Sequence, residues 1–227
     1  MTWGIIGAMT SEIALLESQM SNVKKEVVSG LTYQIGKIRG KDVVLCCSEI
    51  GKVNAAMCAQ TLALRYRVDF MINTGVAGCT CDDLGVLDIV LSQDLVFHDF
   101  DWALQEKYHP HTSKFPGDPG LIALAQRALE QMPQRKFQYK LGRIATGDIF
   151  VDDEALRNSI IERTHPDCVE MEGAAIALVA YSNQIPCLVV RSMSDNANGD
   201  AGMSFDTFEK IAADHSAKLL LSMLELA

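Results

Sequence analysis

Short apolar runs that end at carboxylates restrict what this chain can fold into more than any other feature. Leu188-Val189-Val190 leads through Arg191-Ser192-Met193-Ser194 to Asp195. A second run closes on Val169-Glu170-Met171-Glu172-Gly173, and residues 3–8, ending in Gly7-Ala8, are followed by Glu12. Runs this short and this apolar read as strands buried on both faces. Between them lie stretches of helical period at 11–20, 53–66, 121–132, 153–163, 173–183 and 205–226. Strands alternating with helices imply an α/β fold around a parallel or mixed sheet. Ligands of such sheets bind outside the carboxyl ends of the strands. Acids placed there suit proton transfer at a small molecule, not the holding of a phosphate.

Further strands are expected at 31–38 and 41–48, joined at Arg39-Gly40, and at 86–92, 95–97 and 140–146. The run 69–74 should end in a turn at Gly75-Val76-Ala77-Gly78, where backbone can approach a ligand closely. From 99 to 119 the periodicity fails; an irregular stretch of that length is a lid, a binding loop or an interface. The 227 residues contain no linker, repeat or low-complexity tract, so residues 1–227 read as one domain.

Lys and Arg number 20 against 29 Asp and Glu, a formal net charge of −9. No basic stripe is present for nucleic acid. No apolar run approaches the ~18 residues of a membrane span, and the start lacks the basic and apolar regions of a leader. The cytoplasm is the expected compartment. Seven irregularly spaced cysteines read as reduced thiols. Cys79-Thr80-Cys81 has no matching second pair, and His98-Asp99-Phe100-Asp101 and His109-Pro110-His111 read as polar loop or interface residues. Neither a metal nor a cofactor is expected.

The carboxylates each carry two readings. Partly desolvated at a sheet edge, Asp195 would favour its neutral form and donate a proton; within Ser194-Asp195-Asn196 it would equally serve as a loop cap. Glu12 suits a general base that orients water, or a first-turn glutamate that complements the helix dipole. Glu170 and Glu172 would share one side of a persisting strand. They would accept hydrogen bonds from a vicinal diol, or Glu170 would pair with Arg191 while Glu172 meets the ligand. Met9, Ile50, Phe150 and Phe205 are core residues or the lining of an apolar pocket.

Taken in order, the segments resemble the 5'-methylthioadenosine/S-adenosylhomocysteine nucleosidases of the nucleoside phosphorylase superfamily. The likeness runs nearly end to end. It rests on Gly4-Ile5-Ile6-Gly7-Ala8-Met9 with Glu12, Ile50-Gly51-Lys52-Val53-Asn54, and Asn73-Thr74-Gly75-Val76-Ala77-Gly78. It continues through Gly147-Asp148-Ile149-Phe150-Val151, Val169-Glu170-Met171-Glu172-Gly173, Val190-Arg191-Ser192-Met193-Ser194-Asp195 and Met203-Ser204-Phe205-Asp206.

The resemblance implies a three-layer α/β/α sandwich with a twisted mixed central sheet. It implies hydrolysis of the N-glycosidic bond of methylthioadenosine and S-adenosylhomocysteine, with 5'-deoxyadenosine as a further substrate, in methionine salvage. By it, Glu12 activates water and Asp195 protonates adenine. Glu172 holds the ribose hydroxyls beside Met171, Phe150 stacks on the base, and the Val151 backbone reads its edge. Ala77 and Gly78 line the sugar–base pocket, Met9, Ile50 and Phe205 surround the 5' substituent, and Ser194 and Arg191 support the acid and the water. It further implies a homodimer in which residues 99–119 of the partner close the 5' pocket.

Two departures stand out. Val76 occupies a position where many members have Ser, a change shared with members active on 6-amino-6-deoxyfutalosine, and residues 102–116 differ from the commoner loop. Two rivals remain. A phosphorolytic enzyme of the same fold would need basic residues near Gly7 and Gly78, and residues 7–13 contain none. A non-catalytic nucleoside binder would have no need of all three carboxylates.

Overall fold

The computed structural model describes residues 1–132, 136–198 and 200–227. Strand β1 (Thr2–Gly7) is central, pairing in parallel with β4 (Lys41–Cys47) on one side and β5 (Phe70–Cys79) on the other. Its residues alternate between two cores. Ile5 packs with α1 (Thr10–Ser18), α4 (Pro119–Glu130) and α7 (Ala201–Leu226), whereas Ile6 packs with α2 (Lys52–Thr61) and α6 (Gly173–Ser182). Both faces being covered explains why these strands are apolar throughout.

Beyond β4 the sheet continues antiparallel through β3 (Leu31–Ile38) to β2 (Ser21–Val28). Strand β2 was not expected. Its sequence, Ser-Asn-Val-Lys-Lys-Glu-Val-Val, is almost wholly exposed, so no buried face imprints a period on it. Charged residues on an edge also discourage pairing with other chains.

On the other side the sheet closes on itself. β5 pairs with β10 (Cys187–Asp195), β10 with β6 (Ile89–Phe97), β6 with β8 (Tyr139–Thr146), β8 with β9 (Cys168–Glu170), and β9 with β5 again. The layered, mixed α/β architecture therefore holds, with one end of the sheet curled into a ring. This curl brings the ends of β1, β5, β9 and β10 together.

Two local expectations are corrected. Gly75 to Gly78 is not a turn, because β5 runs unbroken to Cys79 and pairs there with both β9 and β10. The 99–119 stretch is not wholly irregular: Asp101 caps a short helix α3 (Trp102–Lys107), and β7 (Phe115–Pro116) pairs with β6. Helix α2 extends through a π turn at Leu62–Tyr66 and stops where Arg67 takes a left-handed conformation. The remaining helix, α5 (Glu154–Thr164), is capped by Asp153.

Candidate active site

Residue Glu12 enters the site because β1 ends at Gly7 and α1 begins three residues later. Glu12 Oε2 accepts the N–H groups of Ala8 at 2.6 Å and Met9 at 3.0 Å, and Oε1 accepts that of Val76 at 2.9 Å. It thus caps its own helix, as one of its two readings held, and still lines the cavity. Burial pushes its carboxyl up, against the Arg191 guanidinium and those three donors, which pull it down.

Strand β10 delivers Arg191, Ser194 and Asp195, all buried. Arg191 stands opposite Gly75 in the β5–β10 ladder. A side chain at Gly75 would displace both groups: its Cβ would lie 2.2 Å from Glu12 Oε1 and 2.4 Å from Arg191 Nη1. The guanidinium contacts Glu170 tightly, Asn73 Oδ1 at 2.5 Å, Glu172 Oε2 at 3.4 Å and Glu12 Oε1 at 3.7 Å. Burial opposes its charge, and Glu170, Glu172 and Glu12 together outweigh that.

Residues Glu170 and Glu172 do not share a strand face, since β9 stops at Glu170 and Glu172 is the residue before α6. Glu170 takes the Arg191 pairing. It also accepts the Thr146 hydroxyl and the N–H groups of Gly173 at 2.7 Å and Glu172 at 3.1 Å. Glu172 keeps looser partners, the Gly51 N–H at 2.8 Å and the distant edge of Arg191. Burial raises its carboxyl to about 7, with Arg191 pulling the other way and Glu170 and Glu12 pushing further up.

Asp195 takes the loop-capping contact and also lines the cavity. Oδ1 accepts the Ala197 N–H at 2.7 Å and so shapes the loop, while Oδ2 accepts the Ser194 hydroxyl at 2.8 Å. Burial raises its carboxyl, with those two bonds acting against it. It packs against Gly78, where a Cβ would fall 2.8 Å from Oδ1.

These groups open onto one cavity of about 100 Å³. Thirteen of the fourteen residues singled out in the sequence line it: Met9, Glu12, Ile50, Val76, Ala77, Gly78, Phe150, Met171, Glu172, Arg191, Ser194, Asp195 and Phe205. Val151 does not. It lines a smaller recess that shares Gly78, Phe150, Met171 and Asp195 with the main cavity. Phe150 and Phe205 meet edge to face at 5.8 Å. Ile50 and Phe150 are 51% and 43% exposed, so the cavity is open on their side.

Glu170 lines the cavity and takes the Arg191 pairing, the second of its two readings. Asn73 and Thr146 were missed altogether; the one signal for them was a polar residue inside an apolar strand. Elsewhere, Asp99 pairs with Lys52, and His98 is buried against Gly147. Among the described residues, Cys81, Asp83 and Asp167 approach one another as metal ligands would. The Lys140 ammonium already stands 2.8 Å from both Asp83 and Asp167. No described helix is long and apolar enough to cross a membrane.

The phosphorylase superfamily model matches residues 2–225. A 5'-methylthioadenosine/S-adenosylhomocysteine nucleosidase of Aeromonas salmonicida is 39% identical, over 97% of both chains. The solved structure of such a nucleosidase from Streptococcus pneumoniae, with the transition-state inhibitor MT-ImmA, superposes with a TM-score of 0.91 at 40% identity and 99% coverage of each chain. A futalosine hydrolase of Helicobacter pylori superposes equally well, with a TM-score of 0.91 at 32% identity, covering 100% of this chain and 98% of that one.

Proposed function

The chain belongs to the phosphorylase superfamily and, within it, to the 5'-methylthioadenosine/S-adenosylhomocysteine nucleosidases; on that footing we propose how its cavity cleaves those two nucleosides. The enzyme is an N-glycosyl hydrolase that releases adenine and a 5-substituted ribose. As the bond between sugar and base breaks, its electron pair moves onto the purine. Asp195 donates its proton to the purine ring nitrogen N7, which makes adenine a competent leaving group. Glu12 takes a proton from the water that attacks the anomeric carbon. Glu172 accepts the ribose hydroxyls, and the charge of Glu12 and Glu172 stabilises the oxocarbenium-like sugar.

In this arrangement Phe150 stacks on adenine and the Val151 backbone reads its edge. Met171, Ala77 and Gly78 flank the sugar and base, while Met9, Ile50 and Phe205 receive the 5' substituent. Ser194 steadies Asp195, and Arg191 steadies Glu12. The observation that carries this reading is that Glu12, Glu172 and Asp195 face the same cavity. Separate openings would have left acid and base on different ligands.

Water, not phosphate, is the nucleophile. Arg191 is the sole cation among the described residues lining the cavity, and three carboxylates already engage it. A phosphate dianion would meet Glu12 instead of a free guanidinium. The likeness to a futalosine hydrolase, together with Val76 in the pocket, supports 6-amino-6-deoxyfutalosine as a second substrate.

A homodimer fits the exposed apolar side chains Val53 and Met57 on α2 and Phe100, Leu104 and Tyr108 in the 99–119 segment. A partner's 99–119 segment laid over Ile50 and Phe150 would cover the open side of the cavity. Seven free thiols suit a reducing cytoplasm. One assay tests the activity: methylthioadenosine, S-adenosylhomocysteine, 5'-deoxyadenosine and aminodeoxyfutalosine, each with and without phosphate, with adenine and the sugar product measured. Phosphate-independent adenine release is expected. Ribose-1-phosphate products formed only in added phosphate would refute hydrolysis.

A further inference from the structure

Beside Glu172 the cavity wall is held by a charge cluster that the chemistry above does not use. Gly51, with φ of 100°, opens α2 and provides no side-chain cap. Carboxylates from elsewhere take the free N–H groups of that helix end. The Gly51 N–H donates to Glu172 Oε1 at 2.8 Å, and the Lys52 N–H donates to Asp148 Oδ1 at 2.8 Å.

The Lys52 side chain then turns back over the same groups. Its ammonium lies 2.6 Å from both oxygens of Asp99 and 3.6 Å from Asp148 Oδ2, and sits over the Phe97 ring at 5.5 Å. The Asp148 N–H completes the circuit by donating to Asp99 Oδ2 at 3.0 Å. Exposed ion pairs contribute little. This one is different: the Lys52 and Asp99 side chains are only 20% and 22% exposed, and backbone N–H groups share their carboxylates.

One ammonium therefore ties together three chain segments: the start of α2, the residues after β6, and the loop after β8. Two of them carry the open wall of the cavity. Ile50 lies two positions before Lys52, and Phe150 two positions after Asp148. Lys52 itself does not line the cavity.

We infer that Lys52 is a positioning residue for the base half of the site, fixing the loop that carries Phe150. The inference rests on the proposed seat of adenine against Phe150. Asp99 takes part from the opposite side, and burial of its carboxyl is outweighed by Lys52 and the Asp148 N–H, which hold it below the usual carboxylate range. Without the ammonium, Asp99 and Asp148 become neighbouring like charges, and the loop they share moves away from the base.

The test compares Lys52→Met and Lys52→Arg with wild type, reading kcat and KM for methylthioadenosine, the Kd of free adenine, and the thermal midpoint. Lys52→Met is expected to weaken adenine and raise KM by about tenfold, while kcat changes less than about threefold. Lys52→Arg, which keeps the charge, should recover most of the adenine affinity. Should Lys52→Met not fold, Asp148→Ala removes the partner on the loop and must weaken adenine in the same direction. Unchanged adenine affinity with only a lowered midpoint would overturn the inference, leaving Lys52 a purely structural pair. Failure of wild type to bind adenine at all would instead sink the proposed seat of the base.

Discussion

The Arg191 cluster and the exposed edge formed by β2, β3 and the start of β4 use the same side-chain types with opposite consequences. At the edge, Lys37 meets Asp42 at 2.6 Å and Lys24 meets Glu26 at 2.7 Å. Arg191 and Glu172 are farther apart, at 3.4 Å. Judged by distance, the edge pairs would be the stronger. Exposure reverses that order: Lys37 and Asp42 are 43% and 57% exposed, whereas Arg191 and Glu172 are 1% and 4%. Water screens the first pair almost completely and the second hardly at all. The buried cluster also holds three carboxylates around one guanidinium, so part of its negative charge is uncompensated. Such clusters are poor devices for stability; what this one holds is two carboxyls that burial raises, those of Glu12 and Glu172, the latter to about 7.

The sharpest way to break this contrast is at the chemistry. Asp195→Asn retains the shape but cannot donate a proton, so kcat should fall by about 10²–10⁴-fold. Glu12→Gln should lose turnover on the same scale while adenine, held on the other side of the sugar, binds about as well as before. If wild type and both variants prove equally inert towards every adenine nucleoside, the cavity is a binding site only.

Next in size is Arg191→Met. It leaves Glu12, Glu170 and Glu172 without their shared cation, and urea unfolding at pH 7 should show a loss of about 3–5 kcal/mol. The deficit should shrink as the pH is lowered, because the stranded carboxyls take up protons. An equal deficit at pH 5 and pH 7 would mean that packing, not charge, is what Arg191 provides.

A finer test concerns Ser194. Its hydroxyl favours the ionised form of Asp195, so Ser194→Ala should raise that carboxyl further. A general acid must be protonated, so the alkaline limb of the kcat profile should move to higher pH. Movement to lower pH would remove Asp195 from the acid's role.

How much of this was legible in the chain differs between the same two regions. Strands β1, β5 and β10 could be read because both their faces are buried, and so could the acids at their ends. The edge strand β2 could not, because nothing covers it. Gly75 to Gly78 read as a turn by composition, yet the glycines there admit Glu12, Arg191 and Asp195 to the face of an unbroken strand. That requirement comes from neighbours across the sheet and is invisible along the chain. The roles of Asn73 and Thr146 depend likewise on pairings between distant segments. The residues alone left acid and cap evenly matched at Asp195. The structure shows the capping contact on one carboxylate oxygen, from the Ala197 N–H, and a Ser194 hydroxyl on the other, in a side chain that also lines the cavity.

The smallest expected effect belongs to the edge, and it tests the contrast from its weak side. Lys37 holds the Asp42 carboxyl below its ordinary value by a hydrogen bond and by its charge, so the contact exists. Lys37→Met should nevertheless leave the urea midpoint unchanged at about 0.15 M salt, with a slight loss only at low ionic strength. The physical reason is that water solvates each partner nearly as well alone as paired, while holding two long side chains together costs entropy. A loss at Lys37 as large as that at Arg191 would mean that exposure is not what separates the two regions. The low-dielectric argument for the raised carboxyls at the site would then need a different foundation.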